Sequence, residues 1–538
     1  MHETLRKSMA WLHTWAGVII GSVLFAIFWM GSLSTFDREF DRWMQPGTRL
    51  ASSADPVLLD RIAMPLAAEL AAGSTQWGVN LPGDRVDHVR LFYRDAAGNT
   101  VNRALDPRTG ALIEDQGSLA GTGFFFPFHF RLHIKWLDIG YWLVGLAGMA
   151  MLTLIVSGVI VHRKIFADFF LFRPRKQLQR ASLDLHNLTG VLGLPFHFLI
   201  ALSGLVILIQ VYFPLAHVGA FGSGTQAKSA FQAEAFGRYT RPKAHAPGQL
   251  ASLDAMLAQA EHQWSGGKPF FVRVWHPGDA ASYVEVRRSH ANDVTMNLDQ
   301  IYFDAQTGQV LRRFEASPTM GVQRFISGMH FIQFDHWGLR WLYLLAGLAG
   351  CVMIATGFVF WLESRRASHA RKGLAGVRVV EALTVGSVSG IVLATAAYLV
   401  VNRLLPLGAT FAGQDRAALE VWVFYLVWLG AFAHAAWRRA EPALQPARQA
   451  WREQCVAIGV LSVLAVVLNA WTTGDHLLVT LTRGDLQVAG VDLMLLLTAC
   501  TAGWAAHRLG RHASQPRMTV GAGPKPIAEA APGGHRHV

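Results

Sequence analysis

The sequence predicts a mainly α-helical, polytopic membrane protein of about eight transmembrane helices, carrying two small α+β domains outside the bilayer. Three observations carry that prediction. Of the 538 residues, 52% are hydrophobic and only 16% charged, against about 25% charged in soluble proteins. Several apolar runs reach the roughly 20 residues that a bilayer span needs. One stretch also occurs twice: Leu12-His13-Thr14-Trp15-Ala16-Gly17-Val18 returns as Leu185-His186-Asn187-Leu188-Thr189-Gly190-Val191, a shared LH-x-x-x-G-V. A further glycine follows each histidine by 18 positions, at Gly31 and Gly204, so both anchors share one offset of 173 residues. The first part of the chain is an internal duplication.

The net charge of +12 does not mark a nucleic-acid partner. Lys and Arg gather beside the ends of the apolar runs, which is the positive-inside pattern of a membrane protein. Cys351, Cys455 and Cys500 each stand singly in apolar context, so no haem-attachment, iron–sulfur or zinc-ribbon spacing exists. Any redox centre must rest on histidine. Arg6 and Lys7 precede the first apolar run as in a secretory leader, but that run is long. Its end, Met30–Phe36, lacks a small-x-small cleavage pattern, so it is expected to be a retained anchor.

In chain order, the first span (residues 1–36, apolar from Met9 to Leu33) enters from the cytoplasm. A polar block, 37–125, holds a helical period at Leu58–Ala72, a strand at Asp87–Tyr93 and turns at Arg94–Asn99 and Asp106-Pro107-Arg108-Thr109-Gly110. The second span lies within 126–164, apolar from Ile139 to Val161. A basic cytoplasmic loop, 165–183, separates it from the third span, 184–214, which is expected to run unbroken from Leu185 to Phe213. The second polar block, 215–325, repeats the plan: a helix at Leu253–His262, then strands at Phe270–Trp275, Tyr283–Arg288 and Thr295–Phe303. It closes on Asp304-Ala305-Gln306-Thr307-Gly308, the same D-x-x-T-G as before. The fourth span, 326–364, shares Gly-Leu-Ala-Gly (Gly347–Gly350) with the second (Gly145–Gly148). Each repeat has two spans, so both copies share one orientation and their pseudo-twofold axis runs along the membrane normal. A cytoplasmic loop, 365–379, leads to a four-helix C-terminal membrane region, 380–508, with runs at Glu381–Val401, Leu419–Trp437, Cys455–Trp471 and Val491–His507. The tail, 509–538, has a disordered composition.

Ionisable groups inside a bilayer are costly and mark function. The first four spans have few carboxylates, which argues against an ion or proton relay, but they carry His13, His129, His133, His162, His186, His197, His330 and His336. Two imidazoles from facing helices make a six-coordinate, electron-transferring haem iron. The repeat pairs His13 with His186 at the cytoplasmic side and sets His133 opposite His330 at the outer side. At 1.5 Å per residue the second pairing separates the two sites by roughly 30–40 Å, long for direct electron transfer. His197 follows His186 by 11 residues, about 16 Å along one face, and offers a nearer ligand to join His133 or His330. The residues leave these pairings open. The plainer readings are interfacial or core histidines, and a zinc-binding face for the i, i+4 pair His129 and His133.

The duplicated plan, the LH-x-x-x-G starts, the D-x-x-T-G turns and the Val161-His162-Arg163-Lys164 end resemble the PepSY-associated transmembrane family over roughly residues 5–368. The likeness is to its iron-uptake-linked branch of di-haem ferric-siderophore reductases. That resemblance implies a bacterial inner-membrane protein with both termini cytoplasmic, PepSY-type periplasmic domains and two b-type haems on His13, His133, His186 and His330. It also implies delivery of electrons to a ferric chelate in the periplasm; Arg131, Arg324 and Trp337, which lie near His133 and His330 in the sequence, are the expected substrate contacts. No G-x-G-x-x-G follows a strand, so no NAD or flavin fold is expected. The electrons would come from quinol or from another membrane or cytoplasmic donor. The competing expectation is a non-enzymatic membrane anchor that binds or restrains a periplasmic partner such as a protease.

Overall fold

The computed structural model describes residues 2–51, 56–162, 173, 177–213, 215, 217–440 and 446–511. Most of the basic loop expected at 165–183 and nearly all of the tail lie outside them. Among the described residues seven helices are long and apolar enough to cross a bilayer, and a bent pair makes an eighth. The duplicated half uses α1 (His2–Ser34), α6 (Ile139–Val161), the pair α7 (Leu178–Leu192) and α8 (Leu194–Ile207), and α11 (Trp337–Arg371). Between them lie α2 (Asp37–Met44), α3 (Leu59–Ile62), α4 (Met64–Leu70), α5 (Phe126–Arg131), α9 (Leu253–Gln263) and α10 (Pro318–Phe331). The C-terminal helices are α12 (Gly376–Leu404), α13 (Arg416–Ala440), α14 (Pro446–Thr473) and α15 (Leu486–Arg511).

The third span is not the straight rod expected. It bends by 64° between Leu192 and Leu194, where Gly193 is followed by Pro195 in the first turn of α8. A proline there supplies no amide to the helix before it and so permits the break. The estimate of His186 and His197 on one straight face fails for this reason.

The two polar blocks form one sheet rather than two domains. Its order is β4-β3-β2-β1-β5-β6-β7-β8, with β1 (Gln76–Asn80), β2 (Val89–Arg94), β3 (Thr100–Leu105) and β4 (Leu112–Ile113) from the first block. The second block gives β5 (Pro269–Trp275), β6 (Tyr283–Arg288), β7 (Gln300–Asp304) and β8 (Val310–Phe314). The halves join where β1 pairs antiparallel with β5, Gly78 opposite Arg273. Antiparallel pairing of equivalent strands requires a twofold axis perpendicular to the sheet, in keeping with the axis implied by the repeat. The blocks also cap each other's helices. Asp254 accepts the Leu59 amide at 2.7 Å, while Asp60 accepts the Leu253 amide at 2.7 Å, each satisfying amide groups left free at a helix start. Alternate residues of the strands, among them Val79, Leu91, Val272, Val284 and Ile301, bury against α3, α4 and α9. Both D-x-x-T-G turns close alike, with Asp106 and Asp304 each accepting amides two and three residues on.

The sheet is tied to the helices by a buried ionic cluster. Arg340, fully buried near the start of α11, donates to Glu39 at 2.9 Å and to the Thr35 carbonyl at 2.8 Å. Arg85, from the loop before β2, reaches the same carboxylate at 2.8 Å. Removing one partner of such a cluster strands the others without water. Glu39→Gln is therefore expected to cost about 3–5 kcal/mol, read as a lowered thermal midpoint in detergent. An unchanged midpoint would show that the cluster does not hold the sheet in place.

Candidate functional site

Four histidines are held in one recurring cradle. Each imidazole lies on a neighbouring helix with its ring against a glycine; in three of the four, Nδ1 meets the backbone carbonyl four residues before that glycine, and in His330 it meets Ser203 Oγ. His13 Nδ1 is 3.0 Å from the Leu154 carbonyl, and a Cβ on Gly158 would stand 3.2 Å from the ring. For His186 the carbonyl is Met353 at 2.7 Å and the glycine is Gly357, again 3.2 Å. His129 takes the Ile27 carbonyl at 2.9 Å and lies on Gly31, where a Cβ would come within 2.7 Å. His330 bonds Ser203 Oγ at 3.0 Å and the Ile200 carbonyl, and lies on Gly204, 2.9 Å from an added Cβ. Positions i and i+4 share a helix face, so one carbonyl and one bare glycine make a flat seat for a ring. A carbonyl can only accept, so Nδ1 carries the proton and Nε2 keeps a lone pair. Among the described residues no hydrogen bond reaches Nε2 of any of the four.

These histidines face each other in two pairs. The His13 and His186 ring centres are 6.3 Å apart with planes crossed at 85°. His129 and His330 are 5.9 Å apart with planes at 35°. Two imidazoles bound to one metal from opposite sides, with metal–nitrogen bonds of about 2.0 Å, have ring centres roughly 6 Å apart. Each pair sits in its own apolar cavity of about 390 Å³, and the two cavities share Leu24 and Met151 as walls. The pairs touch α1 at His13 and Gly31, about 27 Å apart along the helix, less than the separation expected from His133. Among the described residues no cluster of three or more His, Cys, Asp or Glu side chains could cage a metal.

The sequence pairing of His133 with His330 is not what the fold brings together. Leu132 and His133 adopt left-handed backbone, φ 50° and 52°, which ends α5 and turns His133 away to pack on the Phe124 ring. His129, one turn earlier, faces His330 instead. Nor do His129 and His133 share a helical face for zinc. His197 lines the inner cavity rather than the outer one. Its Nε2 lies 3.1 Å from the Ala346 carbonyl, its ring rests edge-on to Phe28, and among the described residues no second imidazole opposes it.

Above the outer pair lies a vestibule of about 620 Å³, which His129 and His330 also line. Its roof is the polar face of the sheet, Asn80, Arg90, Asn102 and Ala104, and its floor includes Arg38 and Asp41 of α2. Arg131, Arg324 and Trp337, expected at the substrate, are not among its walls. Arg324 instead donates to the Met296 carbonyl.

With these pairs in view, the comparison with known families is direct: the chain matches the PepSY-associated TM region over residues 10–364. It belongs to that family. An uncharacterised protein of Pseudomonas aeruginosa is 30% identical to it over 400 residues, covering 70% of this chain and 93% of the relative.

The sequence held two signals for the facing of His129 and His330. His129-Phe130 and His330-Phe331 share a dipeptide, and they lie 201 residues apart, against 202 for the two Gly-Leu-Ala-Gly motifs. The cradles, too, are written as small dipeptides: Ser157-Gly158, Ser203-Gly204 and Thr356-Gly357, with Met30-Gly31 as the fourth.

In the vestibule floor, Asp41 accepts the Thr122 amide at 2.8 Å and the Thr122 hydroxyl. Burial, and then the charge of Asp37, push its carboxyl up to about 6 from 3.8. A raised carboxyl favours the folded state while protonated and loses that advantage as pH rises through the folded value. Stability is therefore expected to fall between about pH 4 and 6, by roughly 1–3 kcal/mol, and Asp41→Asn should flatten that slope. Thermal unfolding across the same range checks it, and an equal slope in the variant would assign the dependence elsewhere.

Proposed function

We propose that this protein is an inner-membrane b-type haem protein that carries electrons across the bilayer to reduce a ferric chelate in the periplasm. The carrying observation is the pair of facing imidazole couples, each with Nδ1 engaged, Nε2 bare and ring centres at the spacing that one metal between them requires. Two protein donors per site do not hold a transition metal alone. They fit a metal that brings its own equatorial ring of ligands, and the cavities are apolar and in the range of ligand pockets, about 300–1,000 Å³. Haem held by these histidine pairs would supply one-electron chemistry at iron.

The protein's own residues do the rest. His13 and His186 hold the inner site near the cytoplasmic side, and His129 and His330 hold the outer one. Leu24 and Met151 form the apolar wall that the two sites share. The vestibule brings an acceptor against the outer pair, since the same two histidines line both spaces. One electron converts Fe(III) to Fe(II), which hard oxygen ligands bind less tightly, so the metal leaves an intact chelator. The electron comes from quinol or a membrane or cytoplasmic donor, and the reaction rests on potential and positioning rather than on an acid–base pair.

Detergent-solubilised protein is expected to carry two non-covalent haems per chain, counted by visible spectroscopy and extraction. Replacing His13 or His186 by Ala should remove one, replacing His129 or His330 the other, and His133→Ala should leave both. Gly31→Val, which pushes a side chain into the His129 seat, should remove the outer haem alone. Colourless protein from haem-replete cells would overturn the reading and favour a non-enzymatic anchor for a periplasmic partner.

A further inference from the structure

The family match ends at residue 364, and the four helices α12–α15 follow it. Among the described residues none of this bundle lines either histidine cavity. Besides packing on α1, α2 and α11, where Val377 and Val380 meet Phe358 and Trp361, the bundle grips the segment Gln116–Leu132, which carries His129. Arg416 donates to the Gln116 carbonyl. Ser118 Oγ donates to the buried Glu420 carboxylate at 2.5 Å, and Asn402 Nδ2 donates to both, at 3.1 Å and 2.8 Å. Tyr398 OH donates to the Ala120 carbonyl at 3.1 Å, and Tyr425 OH to that of Leu132 at 2.7 Å. Between these anchors Phe124 packs on the rings of Tyr398 and Phe424, and Phe128 on Phe424 and Trp428.

The gripped segment needs holding. Ala120 has φ 50° and a π-helical turn, Gly121–Phe125, separates it from α5, whereas Leu132 at φ 50° ends α5 just as Ile332 at φ 53° ends the His330 helix. Backbone of this kind persists only where surrounding contacts over-determine it. The His330 helix has no such support: among the described residues its hydrogen bonds run to α8 and to the Met296 segment.

We propose that the C-terminal bundle is a positioning device for the outer histidine pair, acting on His129 through the carbonyls of Ala120 and Leu132 and the hydroxyl of Ser118. This rests on the haem reading. Tyr398, Tyr425 and Glu420 are then positioning residues that touch neither metal nor substrate, and the bundle makes the two outer ligands unequal: one clamped, one not.

The test uses the full chain with Tyr425→Phe, which removes one hydroxyl and leaves the ring, and Ser118→Ala as a second mild variant. Two quantities are read: amide exchange over residues 116–133 and the midpoint potential of each haem. Exchange in that segment is expected to quicken roughly five-fold, with the outer potential shifted and the inner one unchanged. Restoring the hydroxyl at the same position should restore both. An unmoved outer potential, or equal shifts at both centres, would overturn the proposal. Wild-type protein without haem would sink the functional reading and this inference together, whereas haem present and indifferent to both variants would sink this inference alone.

Discussion

The structure depends on one contact made four times: an imidazole Nδ1–H against a helix carbonyl, with glycine four residues on. Against apolar cavity walls, an unpaired ring nitrogen would be expensive. Bonding one nitrogen to backbone satisfies the ring and fixes its tautomer. The other nitrogen is left bare, and it can be aimed only because no Cβ fills the seat. The neighbouring helix thus decides where each lone pair points.

Duplication turns four such contacts into two sites. His13 and His186 are repeats of one residue, but their carbonyls come from α6 and α11, the second and fourth spans. For His129 and His330 the roles reverse, and the seats are on α1 and α8. Each repeat therefore supplies one histidine and the seat for that histidine to each of the two sites. The shared sheet reinforces this arrangement. With β1 paired to β5 and Asp60 and Asp254 capping across the axis, neither half can shift without the other.

Much of this was legible in the residues. The LH-x-x-x-G repeat marks the inner pair, strand alternation finds β5 and β6 almost to the residue, and the D-x-x-T-G turns form as read, but β2 starts at Val89 rather than Asp87 and β7 at Gln300 rather than Thr295. The outer pair was misread because His133 lies nearer the start of the second span, while the left-handed turn at Leu132 that removes it is a property of backbone held by tertiary contacts. Non-local pairing hid the fusion of the two polar blocks: nothing within β1 or β5 names the other as partner. The bend at Gly193 was written in Gly193-Leu194-Pro195, and the long apolar run obscured it. The grip of α12 and α13 on Gln116–Leu132 joins residues about 300 positions apart, beyond the reach of any local pattern.

The central claim is that two imidazole pairs each close on one haem iron, and the ring planes give it a signature. Crossed imidazoles produce a strongly axial low-spin ferric signal, whereas near-aligned ones produce a rhombic signal. Electron paramagnetic resonance of the oxidised protein is expected to show both in equal amounts, the axial one lost with His186→Ala and the rhombic one with His330→Ala. A single signal type, a signal of thiolate or methionine ligation, or no low-spin iron at all would contradict the account.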